Sequence, residues 1–307
     1  MAPHPQDPGP GTSGPSGPTH RSRPRVRTWR RALRALAPPG RARAAMSGGG
    51  GAGATAGGVA ATLPARGAES GAADGREGVL HLPPGPRATD LVEDRGPLAP
   101  EVLLRPRQGR LGDCWVMAPM LAIHETAPER LRALLQPEDC GIVAVHLPGL
   151  DAPIRVDRFL AADDQGRFQY SRRDGANPGW VGVLEKAIAG HVAGDYTFIQ
   201  RGLARYGFQL LLGERVRTDL RLPSAAQVLA WRAEGRAIAV STHPLSPRVM
   251  TAAGPLPPSH VFAVVGADPR SGHVHLRNPT NPGPVLVLDA RSFRRGFLSV
   301  DVTAPLR

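Results

Sequence analysis

Residues 1 to about 78 of this 307-residue chain cannot build a core, so whatever folds must be made from the remainder. The early segment holds Pro/Gly/Ser repeats, nine arginines between Arg21 and Arg43 with no acid among them, and a Gly/Ala tract from Ser47 to Ala61. With few aromatic or branched aliphatic residues it buries too little surface to offset its ordering entropy, and a disordered tail is expected over 1–78. Thr28 to Leu36 has the spacing of a short basic amphipathic helix, with Trp29, Leu33 and Leu36 at i, i+4 and i+7. Such a tail is able to contact an anionic surface, but Trp29 is the single aromatic among the arginines, too few for base stacking, so no specific nucleic-acid partner is expected. A solvated tail, or a gene start read too early with Met46 as the true initiator, explains it more simply. The glycine tract from Gly48 is no phosphate loop, because no Gly-Lys-Ser/Thr follows it.

The net charge of +12 belongs largely to this tail; setting aside its nine arginines leaves about +3 for everything else. One lysine (Lys186) stands against 37 arginines, and glycine and proline together contribute 70 residues. That bias reads as base composition, so arginine counts carry little functional weight. Two cysteines, Cys114 and Cys140, are too few for a disulfide framework and fit a reducing compartment. No run of about 18 apolar residues and no basic-then-apolar leader occurs, so no membrane span and a cytoplasmic location are expected.

From about residue 79 the pattern becomes globular, and 79–307 is expected to form an α+β domain. Cys114 to Leu135, Val181 to His191 and Ala226 to Glu234 carry helical periodicity. Ile142 to His146, Ile154 to Phe159, Ala237 to Ser241, His260 to Ala267, Val274 to Arg277 and Val285 to Leu288 read as strands. Helices dominate the first half and strands the second. Two lobes, about 95–200 and about 201–305, meeting at a ligand-binding cleft are the natural outcome.

Chemistry concentrates in Gln108-Gly109-Arg110-Leu111-Gly112-Asp113-Cys114-Trp115, at the head of an apolar run. A helix N-terminus stabilises negative charge, which favours a nucleophilic thiolate at Cys114. Gln108 can offer its amide to a developing oxyanion. The plainer reading of a lone cysteine is a small buried hydrophobe. A thiol nucleophile also needs a base and a group to orient that base. His260 opens an apolar strand, and Asn278 ends the next one eighteen residues later. If the two strands are neighbours, the Asn278 carbonyl can fix the imidazole tautomer. The order Cys, His, Asn, with the histidine about 150 residues downstream, is the papain-like spacing.

Four segments in order then resemble the calpain family of cysteine proteases. Gln108 to Trp115 is similar to the family's active-site motif, Ser259-His260-Val261-Phe262-Ala263-Val264 to its histidine strand, and Leu276-Arg277-Asn278-Pro279 to its asparagine motif. Between them, Trp180 to Ala189 and then Gly194-Asp195-Tyr196 resemble the end of its first catalytic subdomain. The likeness covers about residues 95–305. It implies a papain-like two-lobe core with a helical lobe carrying the cysteine and a β-rich lobe carrying His260 and Asn278. It implies cysteine-type endopeptidase activity on a protein or peptide substrate, with Cys114 as nucleophile and His260 as general base and later acid. Asn278 would orient His260, and Gln108 with the Cys114 N–H would form the oxyanion hole.

Two positions depart from the family pattern. Thr280 stands where a tryptophan shields the His–Asn pair, which implies a wetter pair. Pro119 falls inside the cysteine helix, where it loses the bond to the Trp115 carbonyl and costs about 3 kcal/mol unless the helix kinks. No cofactor is needed for the chemistry, and no EF-hand loop is present in the sequence. Calcium is a possible ligand of acidic loops, with Asp163, Asp164, Asp174 and Asp268 as candidates. His273 and His275 share a strand face but lack a third ligand nearby. Two other readings fit the same residues: an inactive calpain-like scaffold or binding module, and a papain-fold acyltransferase.

Overall fold

The computed structural model describes residues 78–101, 103–197 and 199–306, so the expected tail and its basic helix at Thr28 to Leu36 lie outside the described residues, except for Gly78. Through the first half run β1 (Asp90–Glu93), β2 (Pro106–Arg107), α1 (Cys114–His124), α2 (Pro128–Arg132), β3 (Leu135–Pro137), β4 (Ile142–Val145), β5 (Ile154–Asp157), β6 (Phe159–Ala162), β7 (Arg172–Arg173) and α3 (Gly179–Val192). Its strands form small antiparallel sets: β3-β4-β5, β1 with β6, and β2 with β7. The second half begins with α4 (Ala204–Leu212), β8 (Arg217–Asp219), α5 (Ala225–Ala233) and β9 (Arg236–Thr242). There follow the hairpin β10–β11 (Met250–Thr251, Gly254–Pro255), β12 (Val261–Asp268), β13 (His273–Asn278), β14 (Asn281–Leu288), α6 (Ala290–Gly296) and β15 (Phe297–Pro305). A six-stranded antiparallel sheet of order β14-β13-β12-β9-β15-β8 organises this half. The mixture of helices with antiparallel sheets is the expected α+β class.

The position of α1 follows from its sequence. Every residue from Trp115 to His124 is buried, as a helix apolar on all sides must be. One flank meets α4, where a Cβ added to Gly207 would lie 2.1 Å from the Trp115 carbonyl oxygen and 2.9 Å from Pro119 Cγ. Only glycine admits that approach. Another flank meets the sheet, whose strands alternate by side. Ala237, Ala239, Val261 and Ala263 face the core that contains α1. Ile238, Val240, Phe262 and Val264 face the opposite core, with Val228 and Trp231 of α5 and Phe293 of α6. Small side chains on the helix side let α1 lie close to the sheet. Pro119 does not end the helix, which runs unbroken from Cys114 to His124.

Three expectations need correction. The helix foreseen from Cys114 to Leu135 stops at His124 and restarts as the short α2, and Leu135 opens β3. Pro128 causes the break: it forces Ala127 out of the helical region (φ −153°, ψ 70°) and restarts the helix at its own first turn. The strand foreseen from Ile154 to Phe159 divides at Arg158, where the Asp157 carboxylate turns back to accept the Phe159 N–H at 2.8 Å. The third concerns elements not foreseen, chiefly α4, β15 and α6. α4 carries a glycine stop signal, with Gly213 left-handed at φ 72°. No helix among the described residues is long and apolar enough to cross a membrane.

Gly207→Ala should be destabilising because its methyl would meet backbone, which cannot move aside as a flexible side chain can. The expected cost is about 1–3 kcal/mol, read as a melting midpoint lowered by several degrees in thermal unfolding. An unchanged midpoint would mean that α1 and α4 are not held this closely.

Candidate active site

The loop that leads into α1 is fixed at both ends. The Gln108 N–H donates to the Pro279 carbonyl at 2.8 Å, and Arg107 Nε donates to the Thr280 carbonyl at 3.1 Å. Arg107 Nη1 also pairs with Asp174 at 3.2 Å. A Cβ at Gly109 would fall 2.3 Å from the Tyr170 backbone, so glycine is required there. Gln108 is buried, and its Nε2 donates to Leu111 O at 2.5 Å and interacts with the Asp113 carboxyl. Its amide is therefore turned into its own loop.

Cys114 is the first residue of α1, half-buried and unpaired by disulfide. Burial pushes its thiol up to about 11, and the neighbouring Asp113 charge adds to that. The backbone amides of Val261, Trp115 and Cys114 itself act in the opposite direction. The expected lowering by a helix N-terminus is thus present but outweighed by desolvation. Contact with the Val261 amide places the sulfur one residue from His260.

His260 sits just before β12, after Ser259 in a left-handed conformation (φ 51°). Thr242, at the end of β9, grips its backbone. Thr242 Oγ1 accepts the His260 N–H at 2.9 Å, and the Thr242 N–H donates to the His260 carbonyl at 2.8 Å. The imidazole Nε2 lies 2.8 Å from Asn278 Oδ1. Phe262 meets the ring edge-on, with centroids 5.2 Å apart. Since Oδ1 only accepts, Nε2 carries the hydrogen and Nδ1 is left with a lone pair. Burial lowers the imidazole's proton affinity, and the Asn278 bond offsets part of that. Among the described residues no hydrogen bond joins the Cys114 thiol to His260, and burial disfavours the charged form of each.

Asn278 ends β13 beside His260, as β12 and β13 are hydrogen-bonded neighbours. Its Oδ1 also accepts from the Thr280 N–H at 3.1 Å and the Thr280 hydroxyl at 2.9 Å. Thr280, expected to leave the pair wetter, thus locks the amide. Just before Asn278, Arg277 Nε pairs at 3.1 Å with Glu125 at the C-terminus of α1, and Arg105 reaches the same carboxylate. The cysteine helix and the asparagine strand are thereby tied together.

The acidic-loop candidates are engaged locally. Asp163 takes the backbone of Gln165 and Arg167 and the Arg167 guanidinium, Asp174 takes Arg107, and Asp268 takes Ser271 and the Arg270 N–H. Asp164 is exposed, and His273 and His275 lie along β13 opposite Asp268 and Gly266. No group of three or more ligating side chains that could hold a metal occurs among the described residues. The sequence reading missed Thr242, the Arg277–Glu125 tie, and a carboxylate at Glu185 buried against Asp113. A charged Glu-Lys pair inside the apolar helix Trp180 to Ala189 was the available signal for the last.

Comparison with known proteins gives one consistent result. A profile of the family described as "Calpain family cysteine protease" matches residues 101–280. Among curated proteins, "Calpain-type cysteine protease DEK1" of Zea mays is 26% identical over 189 residues, covering 56% of this chain and 9% of that protein. "Calpain-type cysteine protease ADL1" of Oryza sativa subsp. japonica and the DEK1 protein of Arabidopsis thaliana match to the same extent. The chain spans only about a tenth of the length of these relatives.

A thiol held near 11 is almost wholly protonated at neutral pH and gains thiolate about tenfold per pH unit up to that value. Iodoacetamide should therefore alkylate exposed Cys140 faster than Cys114 at pH 7.5 in the substrate-free protein, with the Cys114 rate climbing through pH 10. Peptide mass spectrometry reads both sites. Faster modification of Cys114 at pH 7.5 would contradict a neutral resting thiol.

Proposed function

Because the chain belongs to the calpain family of cysteine proteases, we propose that it is a cysteine-type endopeptidase acting through Cys114, His260 and Asn278. The observation that carries this is the 2.8 Å contact of His260 Nε2 with Asn278 Oδ1, made one residue from the backbone amide that touches the Cys114 thiol.

Each step then has a carrier. His260 Nδ1 takes the Cys114 proton as the sulfur attacks the scissile carbonyl carbon. The oxyanion so formed accepts from the Cys114 N–H and from Gln108, whose amide must turn out of its loop to reach it. His260 returns the proton to the departing amine, the C–N bond breaks, and a thioester remains. Water gives a proton to His260 and attacks the thioester, and the acid product leaves as Cys114 regains its proton. Asn278 holds the Nε2 hydrogen throughout, so Nδ1 is the nitrogen that takes up and returns the proton. All proton transfers run between side chains, substrate and water, so calcium's proposed place is in alignment rather than chemistry. The substrate is a polypeptide, and the proposed location is the cytoplasm, where both thiols stay reduced.

A silent binding module is the competing reading, favoured by the protonated thiol and the inward Gln108 amide. The two readings differ in what a substrate mimic does. A peptidyl epoxide incubated with the full chain, with and without calcium, should modify Cys114 in preference to Cys140. His260→Ala should lower both this labelling and peptide hydrolysis by about 10²–10⁴. Labelling of Cys114 no faster than Cys140 in either condition would establish the binding module. Amide products formed on adding a free amine would identify an acyltransferase instead.

A further inference from the structure

Directly beneath the site lie two acids that the hydrolytic scheme leaves unused. Asp113, the residue before Cys114, has no exposed surface, and Glu185 of α3 is 1% exposed. Both oxygens of Asp113 are buried, and among the described residues neither makes a well-formed hydrogen bond to a donor; the nearby Gln108 amide is committed to Leu111 O. The group it meets is the Glu185 carboxyl. Glu185 in turn accepts the Ser171 N–H, 3.1 Å from Oε2 and 3.3 Å from Oε1. Two carboxylates cannot share such a site while both are charged, and a buried acceptor without a donor is costly. One proton between them resolves both problems.

We propose that Asp113 and Glu185 share one proton and act as a positioning pair, with the Glu185 O–H donating to Asp113 and so fixing the segment from Gln108 to Cys114. The pair joins α3 to the loop that carries the nucleophile and the oxyanion amide. The functional consequence rests on Cys114 being that nucleophile; the proton itself does not.

Among the described residues no cation is paired with either acid, and the neutral donors, which include the Ser171 hydroxyl beside Glu185, leave the two carboxyls facing each other. From the loop come the Cys114 thiol and the Gln108 amide, and from the segment before β7 the Ser171 N–H and Tyr170 phenol. The Tyr196 phenol faces the pair from beyond α3. Both phenols are held protonated chiefly by burial. Lys186, next along α3, turns away to Asp157 Oδ1 at 2.6 Å. Burial holds Asp113 at about 6 and Glu185 well above the usual carboxylate range, so at neutral pH the pair holds one proton, on the Glu185 side.

The sign of the pH effect follows. Both acids keep protons that the unfolded chain releases near pH 4, so their contribution to stability is greatest at low pH. It falls as pH rises through about 6 with the first proton. It goes on falling with the second until the Glu185 proton also leaves at higher pH, which puts two buried charges side by side. The loop should then loosen and Cys114 lose its alignment.

Glu185→Gln is the discriminating change, because the amide accepts from Ser171 and donates to Asp113 at every pH. In the full chain at pH 7.5, infrared spectra should show the carbonyl stretch of a protonated carboxyl, which Glu185→Gln removes. The alkaline decline in melting midpoint and in Cys114 labelling by the peptidyl epoxide should also disappear in this variant. Its labelling at pH 7.5 should stay within about twofold of the parent, while Glu185→Ala should lose about tenfold or more, as small misplacements of reacting groups do. A missing band, an alkaline decline retained in Glu185→Gln, or a Glu185→Gln chain that does not fold would each overturn the shared proton. If Cys114 never labels while the band and melting behave as stated, the pair stands and the protease reading fails.

Discussion

The fold depends on a helix that has no solvent face. Cys114 heads α1, and the ten residues behind it are all buried. That leaves the helix one way to satisfy itself: α4 on one flank and the small-residue face of the sheet on another. Once it is seated there, the first thiol of the helix meets the sheet where β12 begins. His260 stands at that position because β12 must present Val261 and Ala263 to the helix and Phe262 and Val264 to the opposite core. The juxtaposition of cysteine and histidine is thus a by-product of core packing. Glu125, which closes the far end of α1 and receives both Arg105 and Arg277, extends the same logic to the asparagine strand.

Burial also decides the electrostatics. A helix N-terminus is worth about 0.3–1 kcal/mol to a charge at an exposed surface, and up to about 2 kcal/mol in a good buried geometry. Holding a thiol near 11 rather than its ordinary 9 corresponds to roughly 3 kcal/mol against the thiolate, so desolvation wins. The same burial disfavours the imidazolium of His260. Thiolate and imidazolium are therefore both disfavoured by the same packing. On the proposed reading, such a thiol would be quiet until a substrate binds.

The chemistry was more legible in the sequence than the architecture. Cys114, His260 and Asn278 could be singled out as candidates because each sits in a local motif whose residue types the proposed chemistry demands, and β12 and β13 are neighbours as expected. The break after His124 was written in Pro128 but hidden by the apolar run that continues to Leu135. β15 escaped because its alternation is weak, yet it lies between β9 and β8 and completes the sheet. Thr242 could not be found at all, since nothing local in Arg236–Thr242 says that its last hydroxyl will meet a histidine 18 positions away. The Asp113–Glu185 contact likewise joins positions distant in sequence. Such contacts depend on how α3 seats against the loop, which no periodicity encodes.

Thr280 shows how a departure from a family pattern can be absorbed. A tryptophan at this place would protect the His–Asn bond by excluding water. Here the protection is divided: Phe262 covers the ring edge, and the Thr280 N–H and hydroxyl occupy the remaining acceptor capacity of Asn278 Oδ1. The two backbone carbonyls of Pro279 and Thr280 are engaged as well, by the Gln108 N–H and Arg107. One three-residue turn, Asn278-Pro279-Thr280, therefore fixes the imidazole on one side and the loop of Gln108 on the other. A shift of that turn would move both at once, so the orientation of His260 and the position of the Gln108 loop are set by a single local structure.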